Sequence, residues 1–335
     1  MFRRFAAVIL SAILLSPGWL GMTGMTLLIG FVPLLWVSAS YDDTRRSWWG
    51  MFGWATLAFV LWNALTIWWI WYATPVGPPA ATLASTTMNM IAFMLFHTVS
   101  KKAPKALAYV TLVTAWITTE YWYTVGDFSW PWLILGNGFS HEVWAVQWYE
   151  YTGVFGGTLW VLLSNILIFE ALQARRSTRR WAAAACSVAL PMIASLCIWQ
   201  SWEQPDEGTA RVSVIQPNVD CYDKFHGDTQ RQERNIADLM AEVPAGAQFI
   251  LLPETAVPGD YLEALLITGA GTIRRYPAGA QTETARPERF GDGYYDRFNT
   301  AVGLDSAGRM QLHHKGRLVI GVENTPTWVF DAMKF

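Results

Sequence analysis

Charged residues are scarce in the first 202 residues of this 335-residue chain. They number 18 there and 32 in residues 203–335, while hydrophobic residues make up 53% of the whole sequence. This composition excludes a single soluble domain and is typical of a membrane protein that carries a charged extramembrane part. The net charges of the two parts are +4 and −6, so neither predicts nucleic-acid binding. We therefore predict a membrane domain over 1–202 and a second domain over 203–335.

Cysteine is also rare, which excludes a disulfide framework. Cys186, Cys197 and Cys221 have no metal-ligand spacing. Because Cys186 and Cys197 lie in an apolar stretch, we expect them to be buried, inert thiols. The sequence predicts no metal and no cofactor.

Seven apolar stretches fill the first part, and each is about long enough to cross a bilayer. They cover residues 5–20, 22–38, 49–72, 80–100, 106–123, 154–172 and 181–199. Pro17-Gly18 separates the first two, which we interpret as a helical hairpin with almost no loop. A cleaved signal peptide is the alternative for the first stretch, but no small-x-small cleavage site follows it.

The basic residues of the membrane part lie at alternate ends of these stretches. They form the clusters Arg3-Arg4, Arg45-Arg46, Lys101-Lys102 with Lys105, and Arg175-Arg176 with Arg179-Arg180. The positive-inside rule places these clusters and the N-terminus in the cytoplasm. Seven crossings then deliver residues 203–335 to the periplasm of a bacterial inner membrane.

Ionisable residues are nearly absent from the apolar stretches, which argues against a transporter because transport uses such groups at mid-membrane depth. Only Glu120 and Glu170 occur, both near the end of a stretch. We interpret Glu120 as an interfacial carboxylate that reaches water. The external segment 124–153 contains Trp130 and Trp132 and is too apolar for a solvated linker. We expect it to lie on the membrane surface or to re-enter the membrane, where it either guides a lipid chain or packs against the second domain.

The pattern changes after Ala210 to an alternation of strands and helices that predicts an α/β domain. Predicted strands lie around 210–218, 249–252, 298–304 and 318–322, and predicted helices around 228–242 and 260–266. Asp228 and Thr229 open the first helix, and Thr229 with Gln232 fits a capping box.

Glu254 is the residue that this pattern singles out. It follows the C-terminal end of a buried strand, where α/β folds place ligand and catalytic groups, and it lies in a loop with flanking prolines. A solvated carboxylate is the alternative. Lys315 alone would be a surface lysine. His313 and His314 are adjacent and would point to opposite faces of a strand, so we treat them as structural.

Six motifs together are more specific than any one of them. They are FVPLLW (31–36), Glu120 with SWPWLILGNGF (129–139), VIQPN (214–218), LLPETAVPG (251–259), YYDRFNTAV (294–302) and HHKGRLVIGVE (313–323). In combination they resemble the carbon–nitrogen hydrolase (nitrilase) superfamily and, with the membrane half, its apolipoprotein N-acyltransferase family. The resemblance implies an α-helical membrane domain, here with seven transmembrane helices, followed by an α/β domain of the nitrilase-like α-β-β-α sandwich type.

The resemblance also implies a Glu, Lys and Cys catalytic set. Glu254 matches the general base, Lys315 the lysine that stabilises each oxyanion, and Glu323 a supporting carboxylate. Trp130 and Trp132 are the expected substrate-binding residues. In the implied reaction the Cys thiolate takes an acyl chain from a phospholipid, preferably phosphatidylethanolamine, and the α-amine of a diacylglyceryl apolipoprotein receives it. These two molecules are the expected partners of a membrane-embedded monomer.

The third catalytic member has no match in the sequence. The family's nucleophile lies several tens of residues beyond the lysine, whereas Phe335 follows Lys315 by 20 residues and Cys221 precedes Glu254. About seven residues after Gly259 replace a longer helix and linker. We therefore expect a C-terminally truncated member with an incomplete sandwich domain, unable to transfer an acyl group by itself.

Three functions stay open at this point. The leading one is a phospholipid-dependent lipoprotein N-acyltransferase, and the alternatives are a membrane-tethered nitrilase-type amidase and a non-catalytic domain that binds lipid or lipoprotein. The apolar external segment favours a lipid substrate over a small amide. For either enzyme we expect the charged groups of Glu254 and Lys315 to lie within roughly 4–8 Å, in a cleft that opens toward the membrane near Trp130 and Trp132.

Overall fold

The computed structural model describes residues 1–126, 130–203, 208–220, 223, 227–254, 266–282, 285–288, 292–304 and 309–316. The chain separates into two compact units, Met1–Gln204 and Pro205–Phe335. The first is helical and the second contains a mixed β-sheet.

Eight α-helices are described in the first unit. They are α1 (Phe2–Leu15), α2 (Leu27–Gly30), α3 (Val32–Ala39), α4 (Arg45–Ile67), α5 (Gly77–Lys102), α6 (Lys105–Val125), α7 (Tyr149–Gln173) and α8 (Thr178–Ser201). Short 3₁₀ turns connect several of them, at Pro17–Trp19, Trp68–Tyr72, Pro131–Leu133, Leu135–Phe139 and Val143–Ala145.

Five segments of the described chain are long and apolar enough to cross a membrane. They are Phe2–Trp19, Arg45–Tyr72, Gly77–Lys102, Tyr149–Gln173 and Thr178–Ser201. The protein is therefore a multi-pass membrane protein. The other two predicted crossings are helical but do not reach this standard. Leu27–Ala39 is too short, and α6 is long enough but contains threonines, tyrosines and Glu120, which lower its hydropathy.

The second predicted crossing differs from the expected hairpin helix. Residues 16–26 separate α1 from α2, so the predicted absence of a loop is wrong, and the helix is interrupted again at Phe31. Pro33 has no N–H to donate, which favours a break here. Asn165 of α7 fills the gap, because its Oδ1 accepts from Phe31 N at 2.7 Å and Val32 N at 3.1 Å. Its Nδ2 donates to the carbonyl of Leu27 at 2.7 Å.

Large aromatic side chains form the centre of this unit. The ring of Phe31 lies 4.9 Å from that of Trp116, and Phe59 lies 5.9 Å from Phe93 and 5.8 Å from Trp116. These rings are fully buried and come from α4, α5, α6 and the break at Phe31. Because lipid is as apolar as the helices, close packing of such shapes is what favours helix association.

The external segment also belongs to this core. Its 3₁₀ turns bury Leu133, Leu135 and Phe139 inside the helical unit, and its position on the membrane surface or within the membrane stays a prediction. Gly24 fixes its far end, since its backbone N–H donates to both carboxylate oxygens of Glu142 at 3.2 and 3.1 Å. A Cβ at Gly24 would overlap the backbone of this segment.

The described residues of the second unit form one six-stranded sheet. Its strands are β1 (Val212–Val214), β2 (Phe249–Leu251), β3 (Leu266–Tyr276), β4 (Arg286–Pro287), β5 (Tyr294–Leu304) and β6 (Met310–His314). β1, β2 and β3 are parallel neighbours, β3 pairs with β5 in antiparallel fashion, and the other edge of β5 pairs with both β6 and β4.

One helix, α9 (Thr229–Ala241), is described beside this sheet, and the expected amphipathic pattern accounts for it. Asp228 is its N-cap, with a side chain that accepts from the N–H groups of Gln230 and Arg231, so Asp228 replaces Thr229 as the capping residue. Ile236 packs with Ile215 and Leu252 in a small hydrophobic cluster.

Several predicted elements of this unit differ from the structure. The prediction lacks β3, β4 and β6, and β5 begins four residues before the predicted strand at 298–304. The predicted strand at 318–322 and residues 260–265 of the predicted helix lie outside the described residues, while Leu266 begins β3. The α-β-β-α sandwich therefore stays a prediction.

Candidate active site

The register of the sheet brings the ends of β2 and β6 toward the middle of β5. Leu251 pairs with Ile267 of β3, and the N–H of Leu252 continues this pairing to the carbonyl of Ile267 at 3.0 Å. Glu254 follows Leu252 by two residues. It therefore lies at the level of Gly271 of β3, which pairs with Asn299 of β5. A Cβ on Gly271 would meet no atom within 4 Å. Glu254 can therefore reach across β3 without a side chain in between.

Glu254, Asn299 and Lys315 meet at this point. Glu254 Oε1 lies 3.4 Å from Lys315 Nζ and accepts a hydrogen bond from Asn299 Nδ2. The backbone carbonyl of Asn299 accepts from the N–H of Lys315 at 2.7 Å. The predicted proximity of Glu254 and Lys315 is present, at a distance slightly below the expected 4–8 Å.

The three side chains form a polar group that solvent reaches. Side-chain exposure is 47% for Glu254 and 35% for Lys315, so the carboxylate and the ammonium can both contact a bound molecule. A carboxylate can accept a proton, an ammonium can stabilise an adjacent anion, and the amide of Asn299 orients the carboxylate. This arrangement suits acid–base chemistry with charge stabilisation.

Asn299 is the residue that sequence reasoning missed. It was noted only as part of YYDRFNTAV. The sequence offered only its place among the predicted strand residues around 298–304, whereas the structure shows that Asp296, Thr300 and Val302 on the other face of this strand are buried. An amide on the opposite face of such a strand is a candidate for a site.

The remaining candidate residues of this unit are placed as follows. His313 and His314 pair with Ala301 and Thr300. His314 Nδ1 lies 2.8 Å from Thr300 Oγ1, and its ring stacks on a phenylalanine at 4.2 Å, which fits the structural role expected for it. Glu323 lies outside the described residues.

No described cysteine lies in this unit. Cys186 and Cys197 both belong to α8 and are exposed on its surface, so the expectation that they are buried is wrong. The physical reason is that α8 has the smallest buried share of the five candidate spans, 11%, so much of its surface is open to lipid. Cys221 lies outside the described residues.

Trp130 and Trp132 are held in the helical unit. Trp19 Nε1 donates to the carbonyl of Trp132 at 2.9 Å, and the rings of Trp132 and Trp69 lie 5.2 Å apart. The ring of Trp132 is 46% exposed, whereas Trp130 packs against the core. Trp132 thus presents an aromatic surface, and Trp130 is mainly part of the packing.

An apolar groove of about 650 Å³ runs between α4, the Trp68–Tyr72 turn and α5. Val60, Ile67, Trp71 and Leu83 are among its lining residues. Thr86 also lines it, and within the described residues its buried hydroxyl has no hydrogen-bond partner. A groove of this composition between two candidate spans fits an acyl chain.

Glu120 has a different role from the one expected. It is 5% exposed and accepts from Trp116 Nε1 at 3.0 Å, Leu135 N at 2.8 Å and Thr158 Oγ1 at 2.5 Å. The interpretation as an interfacial carboxylate that reaches water is therefore wrong. Three donors around one buried carboxylate fix the external segment to α6 and α7.

Comparison with known proteins identifies the relatives of this chain. Residues 10–167 match the apolipoprotein N-acyltransferase N-terminal domain. A protein of Chlorobaculum tepidum named apolipoprotein N-acyltransferase is 26% identical over 334 aligned residues, covering 89% of this chain and 60% of the relative. A protein of the same name from Gloeobacter violaceus is 27% identical over 253 residues, covering 72% of this chain and 42% of the relative. The chain is thus similar to apolipoprotein N-acyltransferases, most of all in its helical unit.

The match to the apolipoprotein N-acyltransferase N-terminal domain covers α2 to α6, together with the last six residues of α1 and most of α7. It therefore includes Glu120, Trp130 and Trp132, whereas Glu254 and Lys315 follow it. Both relatives carry the name of an acyltransferase, so the family is one of enzymes. The chain spans between two fifths and three fifths of the length of these relatives.

Proposed function

We propose that this chain is part of a phospholipid-dependent apolipoprotein N-acyltransferase of the bacterial inner membrane. The observation that carries the proposal is the 3.4 Å contact between Glu254 and Lys315, which are 61 residues apart in sequence. A proton acceptor beside an ammonium is what acyl transfer through a thioester requires of its surroundings.

In the first half-reaction Glu254 acts as general base. It takes the proton of a cysteine thiol while the sulfur attacks the ester carbonyl of a phospholipid such as phosphatidylethanolamine. Lys315 stabilises the oxyanion of the tetrahedral intermediate. The bond to the glycerol oxygen breaks, this oxygen takes the proton from Glu254, and a thioester and a lysophospholipid result.

In the second half-reaction the α-amine of a diacylglyceryl-cysteine attacks the thioester. The amine gives a proton to Glu254, Lys315 again stabilises the oxyanion, and the carbon–sulfur bond breaks with the thiolate as leaving group. The lipoprotein gains an amide, and the proton on Glu254 returns to the thiolate. In both halves Asn299 positions the carboxylate, and Glu323 is the proposed supporting carboxylate.

The cysteine of this scheme is not one that we assign within the printed sequence. No cysteine follows Cys221, and the family resemblance matches none of the three cysteines to the nucleophile. Glu254 and Lys315 are thus the proposed contribution of this part of the protein.

The lipid substrate is supported by the helical unit. Its groove of about 650 Å³ offers one face to an acyl chain, and the 46% exposed ring of Trp132 offers another. A small amide would need neither surface, which disfavours the amidase alternative. The proposal also includes seven crossings, a cytoplasmic N-terminus and a periplasmic second domain, and the alternating basic clusters support this topology. It further includes an α-β-β-α fold for the second domain and a monomeric state.

The test uses membranes from cells that express the complete gene. Glu254→Gln and Lys315→Met should each lower lysophospholipid release and acylation of a diacylglyceryl peptide by at least about 100-fold, as expected for loss of a general base or of oxyanion stabilisation. Glu288→Gln is the matched control, because Glu288 is another paired carboxylate of this unit, 3.1 Å from Arg275. It should retain activity within about twofold.

Two outcomes would contradict the proposal. Full activity in Glu254→Gln would show that Glu254 is not the general base. Hydrolysis of amides without release of any lysophospholipid would favour the amidase function. Mass spectrometry of the complete protein should also detect an acyl thioester in the presence of phosphatidylethanolamine. Absence of that adduct and of turnover would favour the non-catalytic binding function.

A further inference from the structure

Two turns of the helical unit carry an excess of positive charge. The α5–α6 turn and the α7–α8 turn together contain seven basic residues: Lys101, Lys102, Lys105, Arg175, Arg176, Arg179 and Arg180. All except Lys101 are exposed. The sequence places no acidic residue in 101–119 or in 171–202. Glu170 is thus the one carboxylate near them along the chain.

Glu170 joins the two turns into a single surface. Its Oε1 lies 3.1 Å from Lys105 Nζ and its Oε2 lies 3.1 Å from Arg180 Nη1. Tyr109 OH also donates to Glu170 at 2.6 Å. Glu170 therefore pairs with two of the seven basic residues, and five remain. Among these five, Lys101 donates to the carbonyls of Ser38 and Tyr41 at 2.8 Å. Because α5 and α7 end here while α6 and α8 begin here, both turns lie at the same membrane face.

An aromatic side chain marks the depth of this surface. Trp181 is 41% exposed and its Nε1 donates to the carbonyl of Arg175 at 3.2 Å. Tryptophans with this exposure at the end of a span lie at the level of lipid headgroups. Ser177 Oγ caps α8 by accepting from Arg180 N at 3.4 Å, so the α7–α8 turn is an ordered part of the fold.

The α3–α4 turn provides a contrast within the same unit. Its Arg45 and Arg46 are balanced by Asp42 and Asp43. Arg4, which lies near this turn, donates to the carbonyl of a serine at 2.8 Å and stacks over a tyrosine ring at 3.9 Å. The positive charge of this turn is therefore balanced or used in contacts within the chain.

We propose that the joined basic surface, defined by Lys102, Lys105, Arg175, Arg176 and Arg179 around Glu170, binds the phosphate headgroup of an anionic phospholipid of the bilayer. Charge complementarity at headgroup depth supports this occupant, since clusters of basic residues beside a span attract anionic lipids. The alternative is that these charges only set the orientation of the helices during membrane insertion. In that case the purified protein would not prefer anionic over zwitterionic lipids.

The experiment measures lipid retention by the purified 335-residue chain in detergent, using native mass spectrometry with added phosphatidylglycerol or phosphatidylcholine. The unaltered chain should retain phosphatidylglycerol at least about tenfold better, and this preference should fall as salt rises from about 0.1 M to about 1 M. The triple variant R175Q/R176Q/R179Q leaves the Glu170 ion pairs intact. It should lose about tenfold of its phosphatidylglycerol retention.

Two further variants separate this surface from positive charge in general. R45Q/R46Q removes charge at the balanced turn and should retain phosphatidylglycerol within about twofold. R175K/R176K/R179K keeps the charge and should retain at least about half of the binding. Equal retention of the two lipids by the unaltered chain, or an equal loss in R45Q/R46Q, would overturn the proposal. If R175Q/R176Q/R179Q does not fold, the unaltered chain decides: a preference for phosphatidylglycerol that falls with salt supports the proposal, and a preference that does not change with salt overturns it.

Discussion

The helical unit and the sheet unit use the same residue type in opposite ways. In the helical unit Glu120 is 5% exposed and all three of its donors come from this chain, at 2.5 to 3.0 Å. In the sheet unit Glu254 is 47% exposed and contacts an ammonium and an amide. A carboxylate surrounded by its own chain stabilises the fold, whereas a half-exposed carboxylate can also contact a bound molecule. Burial together with the identity of the partners therefore distinguishes the two roles.

Among the variants that test this comparison, Glu120→Ala should have the largest effect, a loss in the free energy of unfolding. The change leaves the donors of Trp116, Leu135 and Thr158 buried without their acceptor, and each such loss costs about 1 kcal/mol or more. The free energy of unfolding should fall by at least about 3 kcal/mol, measured by thermal unfolding in detergent. Glu150→Ala, at an exposed carboxylate in the first turn of α7, should cost under about 1 kcal/mol. Equal losses in the two variants would contradict a structural role for Glu120.

Asn165→Ala should have the next largest effect. It removes the acceptor for Phe31 N and Val32 N at the break between α2 and α3. We expect a loss of about 2 kcal/mol, because two buried N–H groups remain without a partner. The control is Asn137→Ala, which removes one exposed hydrogen bond to Pro131 and should cost under about 1 kcal/mol. A stability of Asn165→Ala equal to that of the control would show that the break does not depend on this amide.

Asn299→Ala tests the positioning of Glu254 in the sheet unit. Loss of the amide should lower kcat of the complete protein about tenfold with KM nearly unchanged, since only the orientation of the base is altered. Asn299→Asp should instead raise the lower pH limit of activity, because a second carboxylate beside Glu254 disfavours its ionised form. Matched steady-state kinetics across pH measure both. A change confined to KM would indicate substrate binding as the role of Asn299.

The smallest effect concerns the start of α4. Hydrogen bonds from Ser47 and Thr44 hold the pKa of the Asp42 carboxyl below its usual value. A lowered folded-state pKa means that this contribution is present above about pH 4 and is lost as pH falls through the folded pKa. Amide exchange in the first turn of α4 should accelerate below about pH 4. Asp42→Asn should show no such pH step, and a step that persists in this variant would assign it to another group.

Local patterns predicted the elements that depend on neighbours in sequence. α9 follows from its apolar spacing and from an acidic residue before its first turn, and β1 and β2 follow from short apolar runs that end at proline. The proximity of Glu254 and Lys315 was also predictable, because each lies beside a predicted strand of the same domain. What was missed depends on distant partners. Glu120 resembles an interfacial carboxylate until the residues of the external segment fold over it.

The break at Phe31 and the role of Asn299 were missed for the same reason. FVPLLW contains the proline that favours a break, but Asn165, which accepts the hydrogen bonds of the broken segment, lies 134 residues after Phe31. Asn299 acquires its role from the register of β3 and β5, in which Gly271 lies opposite it. Neither relation has a spacing that a single sequence displays.

The contacts of Gly24 and Phe31 have a consequence for the order of events during synthesis. Gly24 donates to a carboxylate 118 residues later, and Phe31 to an amide 134 residues later. The N-terminal helices therefore leave the ribosome with backbone donors whose acceptors have not yet been made. Until translation passes Asn165, these donors must be met by water or by another protein of the insertion machinery. The membrane unit therefore cannot mature helix by helix from its N-terminus, and its first helices are completed only when α7 arrives.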